Sequence, residues 1–359
     1  MTTRQNEAAW IVQDRAPLVV QKAPTVPPGP YEILVEVRAV AINPVDYSIA
    51  QLGQKVFPWL SYPRQAGFDA AGSVIEVGDR VSRFRIGQRV VGHASHFNDK
   101  DAHKKPGYGA FQRFTLLTEH MASVIPDSLS FEDASVLPLA LSTAASGLFE
   151  ANQLALALPS PTPSPNGLSL LVWGGATSVG LCAIQLAVCA GYDVVTTCSP
   201  HNDALVRKLG ARASFDYRQA DSVEKILKSL EGRTLAGALA ISGIPHTADI
   251  IEKCALVVDR AQMEPGRRRF VASAIPLGKE TEAKLRDGRV EARFIWGSSL
   301  AQSTVGAAIY ADFLGPALEV GTFVAAPPPL IVGKGLEKIQ EAFSAAKKGL
   351  SAQKVVVSL

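Results

Sequence analysis

The stretch Leu170-Leu-Val-Trp-Gly-Gly-Ala-Thr-Ser-Val-Gly180 decides the fold of this 359-residue chain. Four apolar residues end at a pair of glycines, and a helical apolar pattern then runs to Gly191. This pattern predicts a buried strand, a tight turn and a helix that Gly191 closes at its C-terminal end. A second apolar strand at 193–199 follows at the spacing of a βαβ unit. In such a unit the helix N-terminus, with its unpaired N–H groups, points at a phosphate.

The glycine pattern of this turn matches a dinucleotide-binding fingerprint at two of its three positions. Aligned on G-x-G-x-x-G, the three positions hold Gly175, Thr177 and Gly180. Such a match is weak by itself, because turns of small residues also join strands to helices for packing reasons alone. The flanking strand, helix and second strand supply the context that the fingerprint requires. The segment therefore predicts a dinucleotide site, with a purely structural turn as the alternative.

The end of the second strand indicates which dinucleotide binds. An NAD site usually places an Asp or Glu about 20 residues beyond the glycines, where it holds the ribose 2′-hydroxyl. Here residues 197–202 read Thr-Cys-Ser-Pro-His-Asn, and this neutral turn does not repel a 2′-phosphate. Ser199, His201 and Asn202 could donate hydrogen bonds to that phosphate, and Tyr217 follows the next predicted strand. A capped helix start at Ser199-Pro200 needs no ligand, but both interpretations can hold, and NADPH is the predicted cofactor.

Composition limits the class of protein. The length predicts two domains, and 47% hydrophobic with 19% charged residues is typical of a soluble globular protein. No apolar run is long enough to span a bilayer, no signal peptide or peroxisomal tripeptide is recognisable, and the expected location is the cytoplasm. A net charge of +3 gives no nucleic-acid footprint. The four cysteines lack C-x-x-C spacing, so neither disulfides nor a structural metal is predicted.

The order of the elements predicts two domains of different type. The first third reads as β-strands interrupted by glycines, as in a small barrel. Helical patterning follows at 131–150, and a Pro/Ser-rich insertion at 158–167 precedes the first strand of the βαβ unit. From there to 297 strands and helices alternate, which predicts a doubly wound parallel sheet. We expect domains at 1–140 and 141–309, with 310–359 completing the first through a final strand at 354–359.

Short motifs recur in order over nearly the whole chain: Asn43-Pro44-x-Asp46, Gly67-x-Asp69-x-Ala71-Gly72-x-Val74, Gly87-x-Arg89-Val90-x-Gly92, Gly109-Ala110-Phe111, Gly175-x-x-x-Val179-Gly180 and, more loosely spaced, Gly349 with Lys354-Val355-Val356. Together, in this order and at this spacing, they resemble the medium-chain dehydrogenase/reductase superfamily. The resemblance implies an α/β protein with a GroES-like β-barrel catalytic domain, a doubly wound Rossmann nucleotide-binding domain, and a substrate cleft between them.

The zinc-dependent branch of that family fits poorly. Its pattern has a Cys ligand near the first motif and Gly-His-Glu where this chain has Gly67-Phe68-Asp69, and Phe68 cannot bind a metal. The cysteine-rich lobe of that branch is replaced here by residues 94–108, which contain no cysteine. His93, His96 and His103 lie nearby without a thiolate, and we interpret them as solvated or as local hydrogen-bonding groups. No metal is predicted.

Within the zinc-independent branch, four segments resemble the fungal trans-acting enoyl reductases that partner polyketide synthases: residues 142–149, 174–178, 197–202 and 215–217. The resemblance implies an NADPH-dependent monomer that reduces an enoyl thioester delivered on an acyl carrier protein. It also implies cofactor contacts at Pro44, Val45, Asp46, Tyr47, Gly175, Ala176, Thr177, Ser178, Val179, Ser199, Pro200, His201, Asn202, Tyr217, Ile275, Pro276, Val355 and Val356. The implied substrate-binding wall consists of Ser142, Thr143, Ala144, Ala145, Ser146, Gly147, Leu148 and Phe149.

The implied reaction is hydride transfer to the β-carbon of the thioester, followed by protonation of the α-carbon. Tyr47 is the candidate proton donor, and a tyrosine that merely packs under the 43–46 turn is the alternative. Residues 238–243, Ala-Leu-Ala-Ile-Ser-Gly, depart from the Asp-Cys type of strand end usual in this family, near the expected adenine or nicotinamide ribose.

Two other functions stay open. One keeps the fold and makes the protein a quinone or small-enone reductase. The other makes it a non-catalytic NADPH-binding scaffold of a synthase complex, since no general acid is evident and residues 238–243 are altered. The Pro-rich insertion at 158–166 and the small side chains at 142–147 favour a larger, tethered substrate.

Overall fold

The computed structural model of the chain describes residues 5–94, 106–242, 248–286 and 288–359. It divides into two compact units. The first unit comprises residues 1–139, 310–319 and 328–359, and the second comprises 140–309 and 320–327.

Within the described residues the strands are, in chain order, β1 (Asn6–Ile11), β2 (Val19–Ala23), β3 (Glu32–Ala41), β4 (Arg64–Gln65), β5 (Asp69–Val77), β6 (Arg89–His93), β7 (Phe114–Thr118), β8 (Ala122–Val124), β9 (Leu168–Trp173), β10 (Asp193–Thr197), β11 (Ala211–Phe215), β12 (Thr234–Ala240), β13 (Phe270–Ser273), β14 (Glu291–Phe294), β15 (Pro329–Lys334) and β16 (Lys354–Ser358). The α-helices are α1 (Pro44–Leu52), α2 (Phe131–Ser135), α3 (Pro138–Phe149), α4 (Ser178–Cys189), α5 (Asp203–Lys208), α6 (Ser222–Ser229), α7 (Ala248–Arg260), α8 (Lys279–Arg286), α9 (Thr304–Ala307), α10 (Leu314–Val320) and α11 (Ile339–Lys347).

The first unit is built around β3. Its long antiparallel pairing with β5 runs from Ile33 opposite Val77 to Ala41 opposite Asp69. The sheet order is β15-β16-β3-β5-β6-β8, with β7 also on β3, and a smaller sheet has the order β2-β1-β4. At Gly72 a β-carbon would lie 2.1 Å from the Glu36 carbonyl oxygen. The close approach of β3 and β5 at this point therefore requires glycine.

The C-terminal strand belongs to this sheet. β16 pairs antiparallel with β3, with Val357 opposite Val40, and parallel with β15. The prediction that the final strand returns to the first domain is therefore confirmed.

The second unit contains a six-stranded parallel sheet in the order β11-β10-β9-β12-β13-β14. Counted along the chain this order is 3-2-1-4-5-6, which is that of a dinucleotide-binding Rossmann fold. One face packs apolar strand residues such as Leu171 and Val271 against Ile226 of α6 and Val258 of α7. The predicted doubly wound parallel sheet is confirmed.

Several element boundaries differ from the predicted ones. The helical pattern at 131–150 forms two helices, α2 and α3, because the residue before Pro138 is disfavoured in a helix. The last strand of the alternating region, β14, ends at Phe294, three residues before the predicted limit of 297.

No helix in the described part of the chain combines the length and the apolar character needed to cross a membrane.

Candidate functional site

The turn between β9 and α4 is tied to the end of β10. Gly174 has φ +86°, which glycine adopts without strain. Its N–H donates to Thr197 Oγ1 at 3.0 Å, and the Gly175 N–H donates to the Thr197 carbonyl at 2.8 Å. The predicted phosphate turn is thus held next to the turn that follows β10.

Thr177, at the position of the missing middle glycine, is the N-cap of α4. Its hydroxyl accepts a hydrogen bond from the Gly180 N–H at 3.0 Å and donates to the Gly174 carbonyl at 2.8 Å. The backbone of Thr177 is extended (φ −77°, ψ 159°), so this position does not require glycine. The N–H groups of Ser178 and Val179, in the first turn of the helix, have no intrahelical acceptor and can bind an anion at the positive helix end.

The two glycines that match the fingerprint lie where the surrounding atoms leave no room for a side chain. A β-carbon on Gly175 would lie 2.0 Å from Thr196 Oγ1. One on Gly180 would lie 2.3 Å from the Gly174 carbonyl oxygen and 2.7 Å from Gly175 Cα. Both positions therefore need glycine because the turn, the start of α4 and the end of β10 pack tightly there, which is the role of the first and third glycines of the fingerprint.

The turn after β10 brings together several of the residues predicted to hold the 2′-phosphate. Ser199 is half-buried, and its Oγ lies 3.3 Å from the Tyr217 hydroxyl. The Asn202 N–H donates to the Ser199 carbonyl at 2.9 Å, and the Asn202 side chain is buried. Pro200 and His201 are exposed on the same turn. Residues 199–202 and 217 therefore lie close together, at the edge of the sheet where the parallel strands end.

Two arginines that the sequence did not predict as site residues lie near this turn. Arg207 Nε donates to both oxygens of Asp203 at 2.9 and 3.0 Å, and the hydrogen bond from Ser214, followed by Arg207, lowers the pKa of Asp203. Arg218, next to Tyr217, holds Asp216 through Nε and Nη2, both at 2.9 Å. Each carboxylate close to the turn is thus neutralised by a guanidinium. The i,i+4 spacing of Asp203 and Arg207 was the available signal for the first pair.

Two further predicted cofactor segments, 275–276 and 355–356, and the altered segment 238–243 have different surroundings. Ile275 is buried just after β13, its N–H bonded to Ser273 Oγ at 3.1 Å, and Pro276 is exposed beside it. Val355 and Val356 are buried in β16 of the first unit, where the Val355 carbonyl accepts from the Ile42 N–H at 2.9 Å. Within the altered segment, the Ile241 carbonyl oxygen lies 2.3 Å from where a β-carbon on Gly174 would be. Gly243 lies outside the described residues.

The predicted substrate wall is largely internal to the second unit. Of these eight residues of α3, Thr143 alone is half-buried and the other seven are buried. A β-carbon on Gly147 would lie within 2.6 Å of Ile295 and 2.8 Å of Leu239 side-chain atoms, and Ser146 Oγ donates to the Glu150 carboxylate. Thr143 is therefore the member of this set with the most accessible side chain.

In the first unit, α1 starts at the Asn43-Pro44 turn. The Asn43 N–H donates to Asp46 Oδ2 at 2.7 Å, and Pro44 at the first helical position has no N–H to satisfy. Pro44 is exposed, Val45 and Tyr47 are half-buried, and Asp46 is buried. Asp46 is therefore part of the helix cap, and of the four residues predicted here its side chain is the least accessible to a ligand.

A buried polar network lies beneath this turn. Asp69 accepts hydrogen bonds from Lys354 Nζ at 2.6 Å, from Asn43 Nδ2 at 2.9 Å and from the Leu139 N–H at 2.7 Å. Lys354 Nζ also donates to the Val136 carbonyl at 2.9 Å, and the two charged side chains are 0% and 4% exposed. This ion pair is almost completely withdrawn from water. The motifs contained both residues, but their contact was not foreseen.

Two ionisable groups border the network. Burial raises the pKa of Asp46 well above its usual range, which favours the protonated carboxyl. His93 lies opposite Asp69 in the β5–β6 pairing, and its ring lies against that of Phe68 in a tilted arrangement with centroids 5.8 Å apart. Burial lowers the pKa of His93 to about 4, so its imidazole is neutral at pH 7. The interpretation of His93 as solvated is therefore wrong, because it lies inside the barrel; His96 and His103 fall outside the described residues.

Within residues 5–94, 106–242, 248–286 and 288–359, no group of three or more His, Cys, Asp or Glu side chains could hold a metal ion.

Tyr47, in α1, packs against α11. Its ring meets the edge of Phe343 with centroids 6.4 Å apart, and Lys347 Nζ lies 5.7 Å from its centroid. Burial, and then the neighbouring Asp46, raise the pKa of Tyr47, so the phenol keeps its proton at neutral pH. Tyr47 therefore packs against α11 and still has a partly accessible side chain, which is compatible with both interpretations of its role.

Comparison with known proteins identifies both units. Residues 29–127 match the alcohol dehydrogenase GroES-like domain, and residues 178–255 match the model described as zinc-binding dehydrogenase. A dehydrogenase, orf1 of Aspergillus niger, is 44% identical over 356 residues, which cover 99% of each chain. The trans-enoyl reductase himH of Aspergillus japonicus is 36% identical over 362 residues, covering 100% of this chain and 99% of the relative. The crystal structure of the CurK enoyl reductase has the same fold, with a TM-score of 0.74, 22% identity and 99% of each chain covered.

Proposed function

Because this chain belongs to the medium-chain dehydrogenase/reductase superfamily, in the branch that includes fungal trans-enoyl reductases, and is an oxidoreductase, we propose that it is an NADPH-dependent enoyl reductase. Its substrate is an α,β-unsaturated thioester on the acyl carrier protein of a polyketide synthase. The chain acts as a monomer. The observation that carries the proposal is the uncharged turn of residues 198–202 beside the glycine turn between β9 and α4.

The residues of the second unit fit a phosphorylated dinucleotide. Gly175 and Gly180 keep the turn tight against the end of β10 and the start of α4, and the first-turn N–H groups of α4 lack intrahelical acceptors and can bind a pyrophosphate. Ser199 and Tyr217 offer hydroxyl groups at the next turn, and Asp203 and Asp216 are both paired with arginines. The 2′-phosphate of NADPH therefore meets hydrogen-bond donors and no unpaired carboxylate at this turn.

The names of the relatives and the partly accessible Tyr47 side chain support the proposed substrate class. The relative at 36% identity is named a trans-enoyl reductase, whereas the one at 44% is named only a dehydrogenase. When bound, the reduced nicotinamide supplies the hydride. The protein orients the enoyl thioester so that the β-carbon receives the hydride, and Tyr47 Oη gives its proton to the α-carbon. The raised pKa of Tyr47 keeps that proton available at neutral pH.

The proposal is tested by incubating the protein with NADPH and a series of enoyl thioesters of graded length, with free quinones and small enones as controls. We expect NADPH oxidation with the thioesters and formation of the saturated acyl product. Faster oxidation with quinones would replace the proposal with a quinone or small-enone reductase. Tight NADPH binding without oxidation by any thioester would replace it with a non-catalytic scaffold of the synthase.

Replacing Ser199 by aspartate should reverse the cofactor preference. A carboxylate at this turn repels the 2′-phosphate, and at a protein surface such a pair is worth a few kcal/mol. We expect the ratio of NADPH to NADH affinity to fall by about tenfold to hundredfold, measured as dissociation constants by fluorescence titration. The matched control is Ser199→Asn, which has the same size without the charge and should keep the preference. An unchanged ratio in Ser199→Asp would show that the 2′-phosphate does not contact this turn.

Replacing Tyr47 by phenylalanine should slow the chemical step and leave NADPH binding intact. Loss of a positioned general acid typically costs about 10²- to 10⁴-fold, and we expect a decrease of that order in single-turnover NADPH oxidation with an enoyl thioester. Tyr31→Phe is the control, because Tyr31 is 54% exposed in the same unit. Unchanged single-turnover kinetics in Tyr47→Phe would remove Tyr47 from the mechanism and leave it as a packing residue.

A further inference from the structure

The lysine that faces Tyr47 is the part of this site for which neither the motifs nor the relatives suggest a role. Lys347 is the last residue of α11, and Phe343 lies one turn earlier on the same face of that helix. Phe343 contacts the ring of Tyr47 at its edge, and Lys347 Nζ lies 5.7 Å from the ring centroid. At this distance an ammonium group is attracted to the aromatic ring. α11 therefore gives Tyr47 both an apolar contact and a cation.

The Tyr47 hydroxyl is available for proton transfer. Among the described residues it has no hydrogen-bond partner, although a half-buried tyrosine hydroxyl usually finds one. A neutral phenol can donate its proton, and the tyrosinate that results carries a full negative charge. The attraction between Lys347 and the ring, which is modest for the phenol, becomes stronger for the tyrosinate, because the tyrosinate carries a full negative charge.

Two neighbouring groups act on the Tyr47 phenol in opposite directions. Burial, and then Asp46 on the same helix, raise the pKa of Tyr47. Lys347, on α11, favours the tyrosinate, and Phe343 on the same helix carries no charge. The Lys347 ammonium group stabilises the tyrosinate formed by proton transfer more than it stabilises the neutral phenol. Such a difference lowers the barrier to proton transfer from Tyr47.

We propose that Lys347 is a positioning residue for proton donation, whose ammonium group stabilises the Tyr47 tyrosinate that remains after Tyr47 protonates the substrate. This inference rests on the proposed enoyl reductase function. In the step concerned, the β-carbon has already accepted the hydride, so the two electrons of the C=C bond sit on the enolate. These electrons form the new Cα–H bond, the Tyr47 O–H bond breaks, and the tyrosinate regains a proton from water.

The test begins with a titration that needs no substrate. Tyrosine ionisation is followed by ultraviolet absorbance in the cofactor-free protein, and subtraction of the Tyr47→Phe titration isolates Tyr47. Selective ¹³C labelling at tyrosine Cζ provides the same readout by NMR over the pH range in which the protein stays folded. We expect the pKa of Tyr47 to rise by about one unit in Lys347→Met and to stay near wild type in Lys347→Arg, which keeps the charge.

The adjacent lysine provides a matched control. Lys348 is exposed like Lys347, but the cation that lies over the Tyr47 ring is that of Lys347. Lys348→Met therefore removes the same charge from the same helix end without removing that contact. It should leave the Tyr47 titration unchanged. In single-turnover reduction of an enoyl thioester, Lys347→Met should be about tenfold slower, in line with a shift of one pKa unit, with substrate affinity preserved.

The outcomes separate this inference from the function on which it rests. An unchanged Tyr47 titration in Lys347→Met overturns it, as does an equal shift in Lys348→Met. A titration shift without any loss of single-turnover rate also overturns it, because the electrostatic pair would then not serve the reaction. If wild type reduces no thioester, the proposed function fails together with the proton-donating role, while the titration still reports whether the Lys347–Tyr47 contact exists.

Discussion

Replacing Lys354 by methionine is expected to lower the free energy of unfolding of the first unit by about 3–5 kcal/mol, because it leaves Asp69 ionised and buried without its counter-ion. Asp69 is fully buried, and its other two partners, Asn43 Nδ2 and the Leu139 N–H, are neutral donors. The Val136 carbonyl would lose its donor as well. Urea denaturation, followed by a probe in the first unit, measures the effect.

Two further variants separate the ion pair from the loss of a long side chain. Lys348→Met removes an exposed lysine from the same unit and should change stability by no more than about 0.5 kcal/mol. In Asp69→Asn combined with Lys354→Met no buried charge remains, so the double variant should be less destabilised than the sum of the single variants. A Lys354→Met protein as stable as wild type would mean that water reaches Asp69 and that the pair is not sealed.

Replacing Gly180 by alanine is expected to weaken dinucleotide binding by about tenfold to hundredfold, which corresponds to the 1–3 kcal/mol that overpacking a rigid site costs. The new β-carbon would lie 2.3 Å from the Gly174 carbonyl oxygen and 2.7 Å from Gly175 Cα. Both atoms are backbone atoms of the turn, so relief requires the turn itself to move. NADPH dissociation constants from fluorescence or calorimetric titration report the change.

Gly278→Ala is the matched control for this substitution. Gly278 has no heavy atom within 4 Å of the added carbon and lies outside the positive-φ region, so alanine should be tolerated there without loss of binding. The thermal midpoints of both variants show whether Gly180→Ala is still folded when its binding is measured. Wild-type affinity in a folded Gly180→Ala protein would contradict the assignment of this turn as the phosphate site.

The nucleotide-binding half of the site could be predicted from sequence because its constraints are local. A buried strand, a glycine turn and an apolar, buried helix lie within about 25 residues, and each imposes its own sequence pattern. The missing middle glycine also has a local explanation, since Thr177 has an extended backbone and caps the helix through its hydroxyl. Ser199 and Tyr217 were predicted together because parallel strands end at the same edge of a sheet.

The first unit was harder to predict because its decisive contacts join distant parts of the chain. Asp69 and Lys354 are 285 positions apart in the sequence, and no local sequence pattern at either residue predicts their contact. The interpretation of His93 as solvated was wrong for the same reason, because only the pairing of β6 with β5 places it inside the barrel.

The amino-acid sequence by itself determined the doubly wound second unit, the glycine turn between β9 and α4 and the uncharged end of β10, because strand and helix periodicity and glycine spacing are properties of short segments. Tertiary structure alone decided that Asp69 and Lys354 form a sealed ion pair, that seven residues of the predicted substrate wall are buried, and that Lys347 faces Tyr47. Those facts depend on which surfaces meet when the chain folds, and burial in a packed interior, not residue type, sets the charge state and accessibility of each group.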